Sequence, residues 1–193
     1  MRDNKLGRYS YMAIDPFKIV THNELNNHFD FFAQLTQAME PFKLASIPGL
    51  PAFQGGCAGF FSYDLARELE TLPNKAKDDM HYPLAGIGFF DVVISFDHML
   101  QKAWIISSGL PETNEASRLK RAKQRLEQFH SLIKYATVTT TTPPQLKDHT
   151  ISTDLSSNEY NAAVANIIQY IKDGDIFEAN FTQRFQCKLD PSI

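Results

Sequence analysis

The residues best suited to bind a ligand are concentrated in one glycine-rich stretch. Gly55, Gly56 and Gly59 fall within five residues and are followed closely by Tyr63 and Asp64. Glycine allows close backbone approach or a positive φ, so such a cluster marks a tight structural join and could also cradle a phosphate. The stretch lacks the Lys-Ser/Thr of a P-loop, and its spacing is not Gly-x-Gly-x-x-Gly. The sequence therefore favours a structural join over a nucleotide site.

The histidines and cysteines, which supply many catalytic and metal-binding side chains, are scattered. The six histidines form no His-x-x-x-His or His-Glu-x-x-His pair, and Cys57 and Cys187 stand alone, which argues against a zinc site or a metallohydrolase. His98 follows Asp97, but a histidine in a hairpin turn is expected to be exposed rather than part of a dyad. No Ser/His/Asp or Cys/His arrangement is indicated by these spacings. We therefore predict no catalytic residue and no metal ligand in this chain.

The composition is typical of an ordinary globular protein. The 193 residues are 43% hydrophobic and carry a formal net charge of -3. Charges mixed along the chain in this way argue against a nucleic-acid-binding surface. No apolar run approaches the ~18 residues of a membrane span, and the beginning of the chain lacks the core of a signal peptide. With its isolated cysteines, the sequence favours a cytoplasmic protein that binds neither nucleic acid nor membrane.

The elements that would position these residues begin with two short strands and a helix. Both strands are predicted between residues 8 and 20, where β-branched and aromatic residues precede or follow a turn. A helix capped by Thr21 or Asn23 should follow and should end before Pro41. Its apolar positions recur at three- and four-residue steps: Leu25, Phe29, Phe32, Leu35 and Met39.

A hairpin and a second helix are predicted further along the chain. Residues 86–97 and 103–108 are rich in β-branched and aromatic side chains and are separated by a short turn, which predicts an antiparallel hairpin. Thr113 can cap the helix that follows, in which lysines and arginines separate the apolar positions. We interpret this basic face as solvent-exposed rather than as an anion or partner site. The apolar positions are Leu119, Ala122, Leu126, Phe129 and Ile133.

The last part of the chain contains the sharpest local signals. Ser156 and Glu159 form a capping box that predicts the start of a third helix. Gly174 has the position of the C′ residue at which that helix ends. From Asp175 to residue 189, apolar and polar side chains alternate, which predicts a long strand with one buried face.

These elements predict an α+β fold. Residues 1–136 would form a domain with a mainly antiparallel sheet and packed helices. Residues 137–150, rich in threonine and proline, are the predicted linker. Residues 151–193 would contribute the first helix and strand of a second domain, which cannot close a core by themselves.

Two motifs together resemble component I of the chorismate-utilising enzymes. Residues 53–70, FQGGCAGFFSYDLARELE, resemble the family pattern F-x-GG-x-x-G-x-x-x-YD-x-x-R-x-x-E. Residues 170–185, YIKDGDIFEANFTQRF, are similar to the pattern YI-x-x-GDI(F/Y)Q-x-N-x-(S/T)-Q-R-F. The start of the chain and the predicted hairpin agree more weakly. The order of these segments fits along nearly the whole chain. Residues 1–136 would then be an anthranilate synthase component I-like N-terminal domain, and residues 151–193 the start of the chorismate-binding domain.

The resemblance implies an activity and partners. Anthranilate synthase component I and aminodeoxychorismate synthase component I aminate chorismate in a magnesium-dependent reaction, with ammonia supplied by a glutamine amidotransferase subunit. The sequence of residues 170–185 and the predicted hairpin favour the aminodeoxychorismate branch, which leads to 4-aminobenzoate and folate. The alternative is the anthranilate branch, which leads to tryptophan. By the same resemblance, Arg8, Tyr9 and Ser10 lie where the family's amino-acid effector binds. The signature positions, to which we assign a structural role, are Gly55, Gly56, Gly59, Tyr63, Asp64, Gly174, Asp175, Asn180, Gln183 and Arg184.

The resemblance also marks what this sequence does not contain. The family's PIAGTR-type segment and its acidic magnesium ligands would follow residue 193, and a strand that helps to hold the effector would precede Arg8. Glu178 stands where a glutamine is usual. The resemblance therefore implies a non-catalytic portion that is inactive alone, needs no cofactor of its own and works with a catalytic chorismate-binding half. A binding module for the amidotransferase or for an amino acid, and the product of a split or decayed gene, are the alternatives.

Overall fold

The computed structural model of the chain describes residues 7–24, 30–73, 77–137 and 150–187. The chain divides into two compact units, Met1–Thr137 and Val138–Ile193. Residues 138–149, which include nearly all of the predicted linker, lie outside the described residues, as do Leu25 and Phe29 of the first predicted helix.

The first unit is built on two antiparallel sheets of three strands each. The strand order is β1-β5-β6 in one sheet and β2-β4-β3 in the other. The predicted hairpin is confirmed by β5 and β6, in which Val92 pairs with Ser107 and Asp97 with Lys102. The predicted α+β fold with mainly antiparallel sheets is confirmed as well. The strands are β1 (Tyr9–Met12), β2 (Lys18–His22), β3 (Gly56–Phe61), β4 (Ala85–Phe90), β5 (Val92–Asp97) and β6 (Lys102–Ser107).

Residues 86–97 are not the single strand that their composition predicts. Asp91 separates β4 from β5, and the two strands belong to different sheets. The Asp91 side chain is fully buried, and a buried carboxylate must be paired because leaving it without partners in the interior is costly. The break thus lies at a buried residue that needs polar partners rather than apolar neighbours.

The main core of this unit lies between the first helix, α1 (Phe31–Met39), and one face of β4. Ala85, Ile87 and Phe89 alternate with half-buried residues along β4, as expected for a strand with one covered face. Phe31 and Leu35 of α1 pack against them. Burying such side chains stabilises the fold by about 1.5–3 kcal/mol each.

Helix α1 spans Phe31–Met39 and is capped by Asp30, whose carboxylate accepts a hydrogen bond from the amide of Ala33 at 2.9 Å. The predicted caps, Thr21 or Asn23, are therefore wrong. Thr21 lies within β2 because pairing with β4 continues to the end of that strand. The predicted end before Pro41 is confirmed, since a single 3₁₀ turn, Glu40–Phe42, follows the helix.

Helix α2 spans Glu115–Tyr135 and begins at Asn114, one residue after the predicted cap Thr113. Its buried residues are Arg125 and Phe129, and Phe129 packs against β5. Most of the predicted apolar face is exposed, including Leu119 at 57%. The helix is therefore turned so that part of its basic face lies inward, opposite to our interpretation. No helix among the described residues is both long and apolar enough to cross a membrane.

The second unit contains helix α3, which spans Ser157–Asp173. Its predicted capping box is confirmed, because Ser156 and Glu159 bond each other's backbone amides. Gly174 ends the helix in the left-handed conformation, φ 82°, as predicted.

The prediction of a long strand from Asp175 onward is wrong for the residues that the structure describes. Only β8 (Phe185–Gln186) is a strand, and it pairs with the equally short β7 (Ser152–Thr153). Phe177, predicted to lie on the buried face, is 92% exposed. Alternation describes which face of a segment would be buried, but a strand also needs neighbours for its backbone hydrogen bonds.

Candidate functional site

Of the predicted effector residues, Tyr9 and Ser10 lie on β1 and Arg8 immediately precedes it, beside the turn that joins β5 to β6. The Arg8 guanidinium donates two hydrogen bonds to Asp97, from Nε at 3.0 Å and from Nη2 at 2.6 Å. Asp97 also accepts from the amides of Met99 and Leu100 at 2.9 and 3.0 Å. Arg8 thus helps to hold the hairpin turn. An effector would meet a guanidinium that already has a carboxylate partner.

The hydrogen bonds at this turn shift two pKa values. The bond from Arg8 lowers the pKa of Asp97 from 3.8 to about 2, with smaller contributions from the amides of Leu100 and Met99. The same bond raises the pKa of Arg8. Both shifts favour the charged forms, so the pair stays ionised at any physiological pH.

Acid is expected to destabilise the first unit through Asp97. Because the pKa of Asp97 is lower in the folded chain than its ordinary 3.8, its stabilising effect is complete above that value and is lost as the pH falls through about 2. Urea midpoints measured between pH 5 and pH 2 should therefore fall less steeply for Asp97→Asn than for the unaltered chain. Glu127→Gln, at an exposed position of α2, is the control and should retain the full slope. Identical slopes for all three proteins would contradict the assignment.

Ser10 and His98 are in direct contact, with 2.7 Å between Oγ and Nε2. The neighbouring Asp97 carboxylate bonds Arg8 and two backbone amides, so it does not orient His98 as the carboxylate of a triad orients a catalytic histidine. Ser10 is exposed. This contact therefore ties β1 to the hairpin turn and does not form a nucleophilic site.

An apolar cavity of about 530 Å³ lies beside Tyr11 of β1, next to the glycine-rich stretch. Tyr9 and Tyr11 lie on one face of β1 with their rings 6.2 Å apart, and Tyr11 meets Phe53 edge-on at 5.7 Å. The cavity suits a flat apolar group rather than a charged one. None of the predicted effector residues Arg8, Tyr9 and Ser10 lines this cavity, although the Tyr9 ring stacks on that of Tyr11, which does. Their role in binding an effector stays a prediction. The lining residues are Tyr11, Ala13, Phe53, Cys57, Ala58, Gly59 and Phe90.

Gly55, Gly56 and Gly59 bring the backbone of β3 and of the residue before it close to neighbouring segments. Gly55 and Gly56 have φ values of 121° and 123°, a region that residues with a side chain rarely adopt. A Cβ on Gly59 would lie 1.9 Å from the carbonyl oxygen of Gly86 on β4. The glycines therefore permit a backbone path and a strand contact that other residues would prevent.

Tyr63 and Asp64 begin the 3₁₀ helix Tyr63–Glu68 that follows β3. The Tyr63 side chain is 92% exposed. Asp64 accepts a hydrogen bond from Arg67 at 2.8 Å, and Arg67 also reaches backbone carbonyls of the next segment. At the end of this helix, Glu68 binds the buried His22 of β2. The segment is thus anchored to the sheet at one end while Tyr63 points to solvent.

The remaining signature residues lie in the second unit, after α3. The amide of Asp175 bonds the carbonyl of Tyr170 at 3.0 Å, which closes the helix together with Gly174. Asn180 is exposed and Gln183 is half-buried. The amide of Arg184 bonds the side chain of Asp154 at 3.0 Å and so aligns the short β7–β8 ladder.

Sequence reasoning missed the most deeply buried charged group among the described residues of the first unit. Asp91 receives two hydrogen bonds from Arg125, both at 3.1 Å, and an ion pair from Arg121 at 3.2 Å. Arg125 also contacts Asp15 at 2.8 Å. Burial lowers the pKa of Arg125, but its hydrogen bonds to Asp91 and Asp15 outweigh this and raise the pKa overall. The arginines recur four residues apart on α2, and that spacing was the available signal.

The described residues do not offer a site for the magnesium that the family resemblance implies. Among them, no three His, Cys, Asp or Glu side chains come together in a way that could hold a metal ion. The buried carboxylate of Asp91 is neutralised by arginines instead. We therefore assign none of the described residues a role in binding the magnesium ion.

Comparison with known proteins agrees with the motifs and the fold. The family model described as chorismate binding enzyme matches residues 1–192. The chain is 35% identical to anthranilate synthase component 1 of Acetivibrio thermocellus over 152 residues, 76% of this chain and 31% of that protein. It is 31% identical to aminodeoxychorismate synthase component 1 of Bacillus subtilis over 189 residues, 92% of this chain and 40% of that protein.

A solved structure has the same fold. The crystal structure of anthranilate synthase component I from Streptococcus pneumoniae matches 96% of this chain and 43% of its own, with a TM-score of 0.65 at 19% identity. The chain belongs to the chorismate binding enzyme family, among the component I proteins. It spans between 31% and 43% of the length of the three relatives described here.

Proposed function

We propose that this chain is the N-terminal, non-catalytic portion of a component I enzyme that aminates chorismate. The observation that carries the proposal is the match of one chorismate-enzyme family model to residues 1–192. In the proposed reaction, ammonia from a glutamine amidotransferase subunit replaces the ring hydroxyl of chorismate, which leaves as water. The catalytic half would supply the reacting groups and the magnesium ligands.

The contribution of these residues would be to build and brace one side of that enzyme. The glycines of β3 and the ion cluster at Asp91 fix the two sheets of the first unit. Helix α3 and the β7–β8 ladder correspond to the start of the chorismate-binding half. Both described cysteines are free thiols, which fits the reducing cytoplasm where we place the protein.

We propose aminodeoxychorismate as the product. The sequence GDIFEAN of residues 174–180 supports this branch, as does the similarity to the aminodeoxychorismate synthase component of B. subtilis. Anthranilate is the second candidate product. It is favoured by the similarity to the anthranilate synthase components of A. thermocellus and of the yeast Saccharomyces cerevisiae, the latter 30% identical over 94% of this chain.

Turnover assays on two polypeptides test the proposal. The 193-residue chain alone, given chorismate, ammonium and Mg²⁺, should consume no chorismate. The complete reading frame that contains this sequence should consume it under the same conditions. Turnover by the short chain would contradict the non-catalytic role, and a full reading frame that leaves chorismate unchanged would contradict the activity.

The identity of the product separates the two branches. Chromatography should show aminodeoxychorismate, and anthranilate, which is fluorescent, should be absent. If anthranilate forms instead, the second candidate is correct and the first is wrong. Replacing ammonium by glutamine should support turnover only when the amidotransferase subunit is added, which tests the proposed partner.

Sensing of an aromatic amino acid is supported by a separate observation, the apolar cavity at Tyr11. Tryptophan should bind the chain saturably in calorimetry, and Tyr11→Ala should weaken binding more than Tyr63→Ala, which alters an exposed tyrosine. Equal affinities for the two variants would place the amino acid elsewhere.

A further inference from the structure

A second cavity of the first unit, about 410 Å³ in volume, shares no lining residue with the cavity at Tyr11. It lies between the loop that precedes β3 and the segment that leads from β6 into α2. Its walls are both polar and apolar. The lining residues that matter below are Leu44, Ile47, Gln54, Ser107 and Arg118.

The cation at this cavity is Arg118, in the first turns of α2. Within the described part of the chain its guanidinium makes no hydrogen bond or ion pair, and the residue is partly buried. The next two arginines of the helix, Arg121 and Arg125, both bind Asp91. A guanidinium has five donors in a planar fork that matches a carboxylate, so Arg118 offers a vacant anion partner where its neighbours are occupied.

Ser107, another residue of the cavity wall, has a buried hydroxyl. The Ser107 Oγ is buried and has no hydrogen-bond partner among the residues described. The adjacent Ser108 hydroxyl, by contrast, donates to the carbonyl of Asp91 at 3.1 Å. Buried polar atoms are nearly always hydrogen-bonded, so an orphan beside a cavity calls for a partner that the chain itself does not provide.

The loop over the cavity is held in place by a side chain. The Gln54 carboxamide accepts from the amide of Ile47 at 2.8 Å and donates to the carbonyl of the same residue at 2.9 Å. This leaves two apolar side chains at the rim, Leu44 at 44% and Ile47 at 59% exposed. They provide surface that an apolar ligand would cover.

We propose that this cavity binds a small organic carboxylate with an apolar body. The carboxylate lies against Arg118 and Ser107, and the apolar body packs on Leu44 and Ile47. Binding at this site requires neither chorismate amination nor the cavity at Tyr11, so it stands or falls separately from the proposed function.

Benzoate is a suitable probe, with the full chain in a calorimetric titration. Benzoate should bind saturably, and benzamide, which has the same ring but no charge, should bind at least about tenfold more weakly. Arg118→Gln should reduce the affinity for benzoate by a similar factor. Lys120→Gln, which removes an exposed charge from the same helix, should leave it unchanged.

One further variant and a measurement of stability distinguish lost binding from lost folding. Ser107→Ala should weaken benzoate binding severalfold without lowering the urea midpoint, because it removes a hydroxyl that has no partner. Arg118→Gln should have the midpoint of Lys120→Gln, which separates lost binding from lost folding. Failure of the unaltered chain to bind benzoate, or equal binding by Arg118→Gln, would overturn the proposal. So would binding that depends on Tyr11 and not on Arg118.

Discussion

Replacing Arg125 by alanine is expected to lower the free energy of unfolding by about 3–5 kcal/mol, the range measured when one partner of a buried ion pair is removed. Arg125 makes both of its bonds to Asp91 within the protein interior, where the Asp91 side chain is 0% exposed. Arg121 alone would remain beside the carboxylate. The loss of the second arginine leaves a buried charge incompletely paired.

Urea denaturation of three variants measures this effect. Lys123→Ala is the matched control, since it removes an exposed basic side chain of the same helix and should cost no more than about 0.5 kcal/mol. The double variant Asp91→Asn/Arg125→Met should be more stable than Arg125→Ala, because it removes the buried charge together with its partner. A cost for Arg125→Ala as small as that of the control would show that the pair does not stabilise the fold.

Gly59→Ala is expected to be the second severe substitution, with a cost of about 3 kcal/mol or more from overpacking. The added Cβ would lie 1.9 Å from the Gly86 carbonyl oxygen and 2.8 Å from the Ile87 Cα, and both are backbone atoms of the paired strand. Neither can rotate away, so β3 and β4 would have to separate. The sheet β2-β4-β3 would lose the ladder that holds the glycine-rich stretch.

Gly86→Ala provides the comparison on the opposite strand. There the nearest atoms belong to the ring of Phe60, which is 48% exposed and can move. Its cost should be clearly smaller than that of Gly59→Ala in the same denaturation experiment. Equal costs would mean that crowding between backbones is not what selects glycine at position 59.

Local features were predictable because nearby residues determine them. The capping box of Ser156 and Glu159 and the left-handed Gly174 depend on contacts within a few residues, and both are confirmed. The β5–β6 hairpin was predictable for the same reason, since a short turn brings two β-branched runs together.

Features that depend on residues far apart in the sequence were not predictable from the local pattern of apolar and polar residues. Apolar residues continue past Asp91, and only the arginines of α2, 30 or more residues later, explain why the chain changes sheet there. The orientation of α2 follows from the same cluster. Arg125 is buried to meet Asp91, and the predicted apolar face is largely exposed in consequence.

The candidate site was predictable only in part. The motifs around Gly55 and Gly174 identified the family, because a signature is a local pattern. The partners of Arg8 and Ser10 are the last residue of β5 and the residue after it, almost ninety positions along the chain, and no spacing rule connects them. The cavity at Arg118 depends on a loop, a strand end and a helix that meet only in the folded chain.

The position of Asp91 has a consequence for how the first unit unfolds. β4 and β5 are one stretch of backbone interrupted by a single residue, yet each is the central strand of its own sheet. If the central strand of one sheet separates from its neighbours, it displaces Asp91, which is directly joined to the central strand of the other sheet. We therefore expect both sheets to open together, so that amide protons of Ile87 and Ile94 exchange with solvent through one shared unfolding event.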